Sequence, residues 1–265
     1  MYPITISPEE IAQLPRAAFT GTIVVIDKLD ERFDAAIRYL RRQKVIGFDT
    51  ESRPTFSPDQ PHYGTSLLQL SGPEKAFLFR IKFIGMPEKL CAILSHPDIV
   101  KVGAAVTDDI HGLQKFRGFN PNGFVDLQKI GWEYGIREKG VKKMAGIILG
   151  VRISKNQQLS NWEADRLSQP QRLYAATDAW VCREMYLKLQ QSEKHPLTLE
   201  EFDPEKAEAL KRAAERAKRA EEEARRAAER RAAGKGPSRS ARRRAARRRR
   251  KAAAAAQKAA QEKEL

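Results

Sequence analysis

The stretch Val45-Ile46-Gly47-Phe48-Asp49-Thr50-Glu51 decides how this chain is read. An apolar run that ends in alternating acids predicts a strand from Val45 to Glu51, leaving a hydrophobic core at its last residues. Residues two apart on a strand share a face, so Asp49 and Glu51 project from the same side of a sheet. Two like charges held together beside a core are costly without a cation, and hard carboxylate oxygens suit Mg²⁺ or Mn²⁺. The pair is a candidate metal site that needs partners from elsewhere in the chain.

On the N-terminal side, Thr22 to Ile26 is a β-branched run, and Asp30 to Gln43 places Phe33, Ile37 and Leu40 at helical spacing. A strand and a helix therefore precede the acids. Beyond them, Arg53 to Tyr63 carries three prolines and reads as a loop. Ser66 to Leu70 and Ala76 to Ile81 are expected strands joined through Gly72-Pro73, which makes three antiparallel strands in succession. The pattern then alternates: helix over Pro87–Leu94, strand over Ile99–Val102, helix over Asp108–Phe116 with Thr107 as its cap, and strand over Phe124–Asp126. Helices are expected near Leu127–Tyr134 and Val141–Leu149, with Asp126 read as an N-cap. A polar stretch from Ser154 to Ser168 leads to a long helix from Pro170 to about Gln191, with Pro170 in its first turn. This order predicts an α/β domain, a mixed sheet flanked by helices around one core.

Charge separates that domain from the C-terminal part of the chain. The 265-residue chain has a formal net charge of +15, and 22 of its 49 Lys and Arg but only 11 of its 34 acids lie in residues 201–265. That segment holds one Phe, no other aromatic residue and no Val, Ile or Thr, so it cannot bury a core. Residues 1–200 are read as the folded domain, with its core over about 20–190, and 201–265 as a basic low-complexity tail. Cys91 and Cys182 fall inside helical patterns without zinc spacing, which suits a reducing interior. No stretch approaches the roughly 18 consecutive apolar residues of a membrane helix. A soluble, cytoplasmic protein with no membrane partner is the expectation, nucleoid-associated or, in a nucleated cell, nuclear.

Candidate partners for the acid pair occur at two places. Lys101-Val102-Gly103 runs from a strand towards Asp108 and Asp109, which are equally explained as first-turn carboxylates favoured by the helix dipole. Tyr174 and Asp178 are four apart and project from one helix face. Phe48-Asp49-Thr50-Glu51, then Asp109, then Tyr174 with Asp178, in this order, resemble the three exonuclease motifs of the DEDDy branch of the DnaQ-like 3′-to-5′ exonucleases. That branch includes ribonuclease D and the exonuclease domain of the Werner helicase. Ser66-Leu67-Leu68-Gln69-Leu70-Ser71 and Leu159-Ser160-Asn161-Trp162 fit the same family, and the resemblance covers roughly residues 20–190. The family's second-motif acid directly precedes an apolar residue, which selects Asp109 before Ile110 and leaves Asp108 as a capping or supporting residue.

The resemblance implies an RNase H-like fold in which Asp49, Glu51, Asp109 and Asp178 converge to hold two divalent ions, Mg²⁺ or Mn²⁺, roughly 4 Å apart. It also implies hydrolysis of phosphodiester bonds at nucleic-acid 3′ ends, DNA or RNA, with release of nucleoside monophosphates. Tyr174 would orient the attacking water, since a phenol with a pKa near 10 is a poor base at neutral pH. Trp162 and Tyr63 could stack on bases or anchor loops. Arg53 and Lys101 could contact phosphate or be merely solvated. His111 reads mainly as a surface or packing residue.

In the tail, Pro204 to about Ala233 pairs Glu with Arg at i,i+4 (Glu208/Arg212, Glu215/Arg219, Glu221/Arg225, Glu222/Arg226), which predicts an exposed helix. Gly234 to Ser238 breaks it, and Arg242–Arg244 and Arg247–Arg250, with Arg247 and Arg248 at the centre of the charge, form a cationic block. Such a block would attract polyphosphate without reading sequence, or be a solvated tail of no selected role. Three functions remain open at this point: a metal-dependent exonuclease, an endonuclease on the same fold, and a catalytically passive nucleic-acid-binding platform.

Overall fold

The computed structural model describes residues 1–55, 63–233, 242–243, 246–247 and 250. The chain divides into two compact units, Met1–Phe202 and Asp203–Leu265.

The first unit opens with α1 (Pro8–Gln13), started by a capping box in which Ser7 and Glu10 satisfy each other's backbone N–H groups. It continues through β1 (Thr22–Ile26), α2 (Glu31–Arg41), β2 (Val45–Ser52), β3 (Thr65–Ser71) and β4 (Lys75–Phe79). Next come α3 (Ile81–Ile84), α4 (Glu88–Leu94), β5 (Val100–Gly103), α5 (Val106–Gln114), β6 (Phe124–Asp126) and α6 (Leu127–Ile130). After a 3₁₀ turn over Gly131–Tyr134, α7 (Val141–Leu149), α8 (Gln169–Gln190) and α9 (Leu199–Phe202) complete it. The sheet has six strands in the order β1-β4-β3-β2-β5-β6. The expected antiparallel succession β2, β3, β4 is present, and every other pairing is parallel, so β3 alone runs against its neighbours.

Alternation along β2 and β3 divides the core. Ile46, Phe48, Leu68 and Leu70 join α2 and α4 through Phe33, Ile37, Leu40, Leu90 and Leu94 on one face. The opposite face carries Gly47, Asp49, Glu51, Leu67 and Gln69, and α8 packs across it. A Cβ at Gly47 would lie 1.7 Å from the Ala179 carbonyl oxygen. Only glycine lets α8, with buried Ala175, Ala176 and Ala179, lie this close to the strand that carries the acids.

Several boundaries differ from expectation. β4 stops at Phe79 because the Arg80 N–H bonds the Ile26 carbonyl and Ile81 opens a short helix. α5 begins at Val106, so Thr107 is not its cap. The N-cap is Ala105, held at φ 58°, the one non-glycine residue with positive φ among those described, with its N–H donated to Asp126 Oδ1. Asp126 also accepts from Gln128 N as the N-cap of α6, so one side chain fixes two helix starts. α8 starts at Gln169 behind a Ser168–Gln171 capping box, with Pro170 in its first turn as expected. Cys91 and Cys182 are buried free thiols. Among the described residues no helix is long and apolar enough to cross a membrane.

In the second unit, α10 (Pro204–Ala232) is almost wholly exposed. Glu208 and Arg212 pair at 2.9 Å as expected, and Arg225 pairs with Glu229 at 3.6 Å. The expected break at Gly234–Ser238 lies outside the described residues.

Candidate active site

The two acids of β2 stand at the carboxyl-terminal end of the strand, facing α8. Asp178 hangs from α8 directly before Ala179, the residue whose carbonyl rests on Gly47. One carboxylate oxygen from each of Asp49, Glu51 and Asp178 lies within 4.8 Å of the other two. Asp109 enters from the other side of β2: Thr50, pointing away from its two acidic neighbours, donates its hydroxyl to Asp109 Oδ1 at 2.5 Å. The strained turn at Ala105 starts α5 close enough to the end of β5 for this contact, and Gly103 makes room for it, since a Cβ there would meet the Phe48 carbonyl at 2.8 Å.

Electrostatics reports the crowding. Burial first, and then the charges of Asp178, Glu51 and Asp109, hold the Asp49 carboxyl well above the usual carboxylate range. Burial followed by Asp178 and Asp109 pushes Glu51 up to about 9. Burial lifts Asp178 to about 7, opposed by the Tyr174 hydroxyl and by Lys155. Asp109 rises to about 6, again through burial, with Thr50 working the other way. Burial and the neighbouring acids, Asp178 foremost, raise the Tyr174 phenol above its ordinary value. A neutral, non-basic phenol beside the carboxylates suits orienting rather than accepting a proton.

This donor set fits divalent ions. It is made of hard oxygens, it carries more negative charge than the site can hold at neutral pH, and Asp178 Oδ1 is a buried oxygen with no hydrogen-bond partner. The arrangement is that of an acid-lined recess at the end of a mixed sheet. The sequence profile of the 3′-5′ exonuclease matches residues 24–193, the span that contains all five residues. The chain belongs to the 3′-5′ exonuclease family.

Curated relatives and a solved structure are similar to this chain over more than half of its length. It is 32% identical over 150 residues to the Drosophila melanogaster exonuclease 3′-5′ domain-containing protein 2, covering 55% of this chain and 25% of the relative. It is 30% identical over 187 residues to the Mus musculus bifunctional 3′-5′ exonuclease/ATP-dependent helicase WRN, covering 66% of this chain and 13% of that protein. The chain thus spans a quarter or less of the length of these two curated relatives. The crystal structure of Escherichia coli RNase D, an exoribonuclease involved in structured RNA processing, superimposes with a TM-score of 0.57 at 25% identity, covering 65% of this chain and 44% of that one. The fold is the RNase H-like mixed sheet that the sequence motifs implied.

Several sequence-predicted contacts are placed differently. Trp162 is completely buried, tilted against Tyr174 with ring centroids 5.9 Å apart and packed with Leu67, Leu78 and Leu167. It offers no ring face to a base, and its role is the alternative one, anchoring a loop behind Tyr174. Lys101 is also fully buried: its Nζ donates to the His96 and Ile99 carbonyls and sits 5.2 Å from the centre of the Phe124 ring. It stitches β5 to the loop before it and cannot contact phosphate. Arg53 is exposed, its guanidinium 4.6 Å from the centre of the half-buried Tyr63 ring, so these two remain together at the surface after β2. His111 is exposed on α5 and Arg247 is exposed in the second unit, while Arg248 lies outside the described residues.

Sequence reasoning missed three participants. Thr50 was visible only as a spacer between two acids. Lys155, whose charge reaches Asp178, sits in a polar stretch without periodicity. Gln69 lies opposite Asp49 in the β2–β3 ladder, fully buried, with both ends of its amide lacking a partner. A lone Gln in the apolar run Ser66 to Leu70 is the signal that could have found it.

Proposed function

We propose that this chain is a metal-dependent 3′-to-5′ exonuclease that hydrolyses terminal phosphodiester bonds of nucleic acid and releases nucleoside monophosphates. The observation that carries the reading is the convergence of Asp49, Glu51 and Asp178 within 4.8 Å, with Asp109 and Tyr174 near enough for their electrostatics to be coupled to the same charges. Asp49, Glu51, Asp178 and Asp109 would hold two divalent ions, Mg²⁺ or Mn²⁺. Bound there, the ions supply positive charge that makes water a nucleophile at neutral pH and stabilises the departing 3′ oxygen.

The remaining work falls to the chain itself. Tyr174, kept protonated, hydrogen-bonds and aims the attacking water at the terminal phosphorus. Trp162 fixes the Tyr174 ring from behind, and Gly47 fixes the height of α8 above β2. Thr50 holds Asp109 in place beside the recess. The domain assignment proposed with this activity is a catalytic domain over residues 1–200 and a basic tail over 201–265 that engages phosphate through charge alone.

A time course with Mg²⁺ or Mn²⁺ tests the reading on 5′-labelled single-stranded DNA, duplex DNA and RNA, each with a free or a phosphate-blocked 3′ end. The expected result is a ladder shortening from the free 3′ end that Asp49→Ala and Asp178→Ala abolish. Internal cuts in blocked strands would instead identify an endonuclease. Binding without metal-dependent cleavage of any substrate would leave the passive platform.

A further inference from the structure

Two cavities meet on the first unit beside α8 and carry a charge pattern that the proposed chemistry does not use. One, of about 250 Å³, is lined by Arg16, Lys142, Arg152 and Lys155 and by no acidic side chain among the described residues. The other, of about 220 Å³, shares Arg16, Ser154 and Asn156 with it and extends to Tyr174. Together they form a cationic cleft that runs up to the residue flanking the carboxylates. Lys155 stands at the junction, near enough to Asp178 to pull that carboxyl down.

The backbone holds these cations together. Arg16 and Arg152 are partners in an isolated parallel β-bridge, closed by Ala17 N to the Arg152 carbonyl at 3.0 Å and Arg152 N to the Pro15 carbonyl at 2.9 Å. Bridge partners project from the same face, so two guanidinium stems leave side by side, an arrangement that costs stability when no anion lies between them. Arg152 Nε is buried and has no acceptor. Lys142 occupies the first turn of α7, where the helix dipole favours an anion rather than a cation. Among the described residues none of Arg16, Lys142, Arg152 or Lys155 forms an ion pair. Elsewhere in this unit Arg32, Lys89, Lys143, Arg183 and Lys194 do. Four cations without an ion-pair partner among the described residues thus line one cleft, two of them fixed by a β-bridge.

We propose that this cleft binds the phosphodiester backbone of a nucleic-acid strand whose 3′ end lies in the carboxylate recess, with Arg16 and Arg152 gripping one phosphate between them. The proposal rests on the exonuclease reading for the direction of the strand, but not for the binding itself. Contacts to phosphate position without reading bases, so the cleft sets affinity and register and leaves sequence unread.

The test uses the full chain, comparing the parent with Arg16→Glu and Lys142→Glu, singly and together, and with Arg152→Lys, which keeps the charge. Arg16 is exposed and Lys142 half-buried, so unfolding temperatures close to the parent's are the entry condition, and Arg152→Lys guards against a loss of fold being read as a loss of charge. Binding of single strands of about four and about twelve nucleotides is measured in EDTA across a salt series, and cleavage of the same strands with Mn²⁺ gives KM and kcat separately. The double reversal is expected to raise Kd and KM for the longer strand about tenfold or more. The same variant should flatten the log–log salt slope by about 1.4, the value for two phosphates on a single strand. The penalty should be smaller for the short strand, and Arg152→Lys should retain most of the parent's affinity. Unchanged Kd and slope overturn the cleft, as does a loss confined to kcat or equal displacement of the strand by polyglutamate. If the parent cleaves nothing yet the reversals weaken binding, the cleft stands and the exonuclease reading fails. If cleavage proceeds and the reversals change nothing, the reverse holds.

Discussion

The acid recess of the first unit and the charged helix α10 of the second treat ionised side chains in opposite ways. In α10, Glu208 and Arg212 neutralise each other one turn apart in full solvent, a contact specified by sequence spacing and contributing a few tenths of a kcal/mol. In the recess, Asp49, Glu51, Asp109 and Asp178 come from one strand and two helices to crowd like charges in a half-buried space. Local pairing of opposite charges builds structure cheaply. Convergence of like charges costs stability, and it is found where a bound cation and a reaction supply the compensation.

Removing a recess acid should have the largest effect. Asp49→Ala or Asp178→Ala is expected to lower the rate of 3′-end hydrolysis by about three orders of magnitude or more, read as single-turnover kcat with saturating Mn²⁺. An effect below tenfold would put the recess on the same footing as the surface pairs of α10. Next in size is the support behind Tyr174. Trp162→Ala should cost about 3 kcal/mol or more of stability by opening a cavity against Leu67, Leu78 and Leu167, measured by urea denaturation.

The recess also predicts a pH dependence with a definite sign. Asp109, Asp178 and Glu51 sit at about 6, 7 and 9, above their unfolded values near 4, so the folded, metal-free protein binds more protons than the unfolded chain between those limits. Its stability therefore falls as pH rises through that window. Asp178→Asn, which removes one of the crowded charges, should be more stable than the parent at pH 8 by on the order of 1 kcal/mol, with the gap closing towards pH 5. Equal curves in metal-free buffer would mean that burial among these acids does not hold Asp178 above the usual carboxylate range.

The tail should act on binding alone. If it engages about five phosphates, removal of residues 203–265 flattens the log–log salt dependence of nucleic-acid affinity by roughly four. The smallest expected change is in α10 itself, where Glu208→Gln should lower helicity by only a few tenths of a kcal/mol, read by circular dichroism.

Sequence and structure agree most closely where a local rule governs. The alternation in β2 placed Asp49 and Glu51 on one face, the Pro170 start located α8, and i,i+4 spacing put Tyr174 beside Asp178. The order of the motifs then supplied the fold and Asp109. Disagreements arose where burial is decided by distant partners. Trp162, between Asn161 and Glu163, and Lys101, a charged residue in the strand Val100–Gly103, are both fully buried, because the loop before α8 folds under Tyr174 and the Lys101 ammonium finds carbonyls at a loop end. The start of α5 moved because Asp126, some twenty residues on, holds the Ala105 N–H. Arg16 and Arg152 become neighbours only through a bridge that joins residues from opposite ends of the domain, so no periodicity could announce their cleft.

The most direct test of the recess as a cation site is calorimetric titration of the metal-free protein with Mn²⁺ at pH 7, in two buffers of different ionisation heat, alongside Asp49→Asn and Asp178→Asn. Two ions should bind per chain with release of protons, because carboxyls held above their usual range must give those protons up, and each substitution should weaken binding by about tenfold or more. Binding by the variants equal to the parent's, or Mn²⁺ uptake with no proton release, would contradict the account.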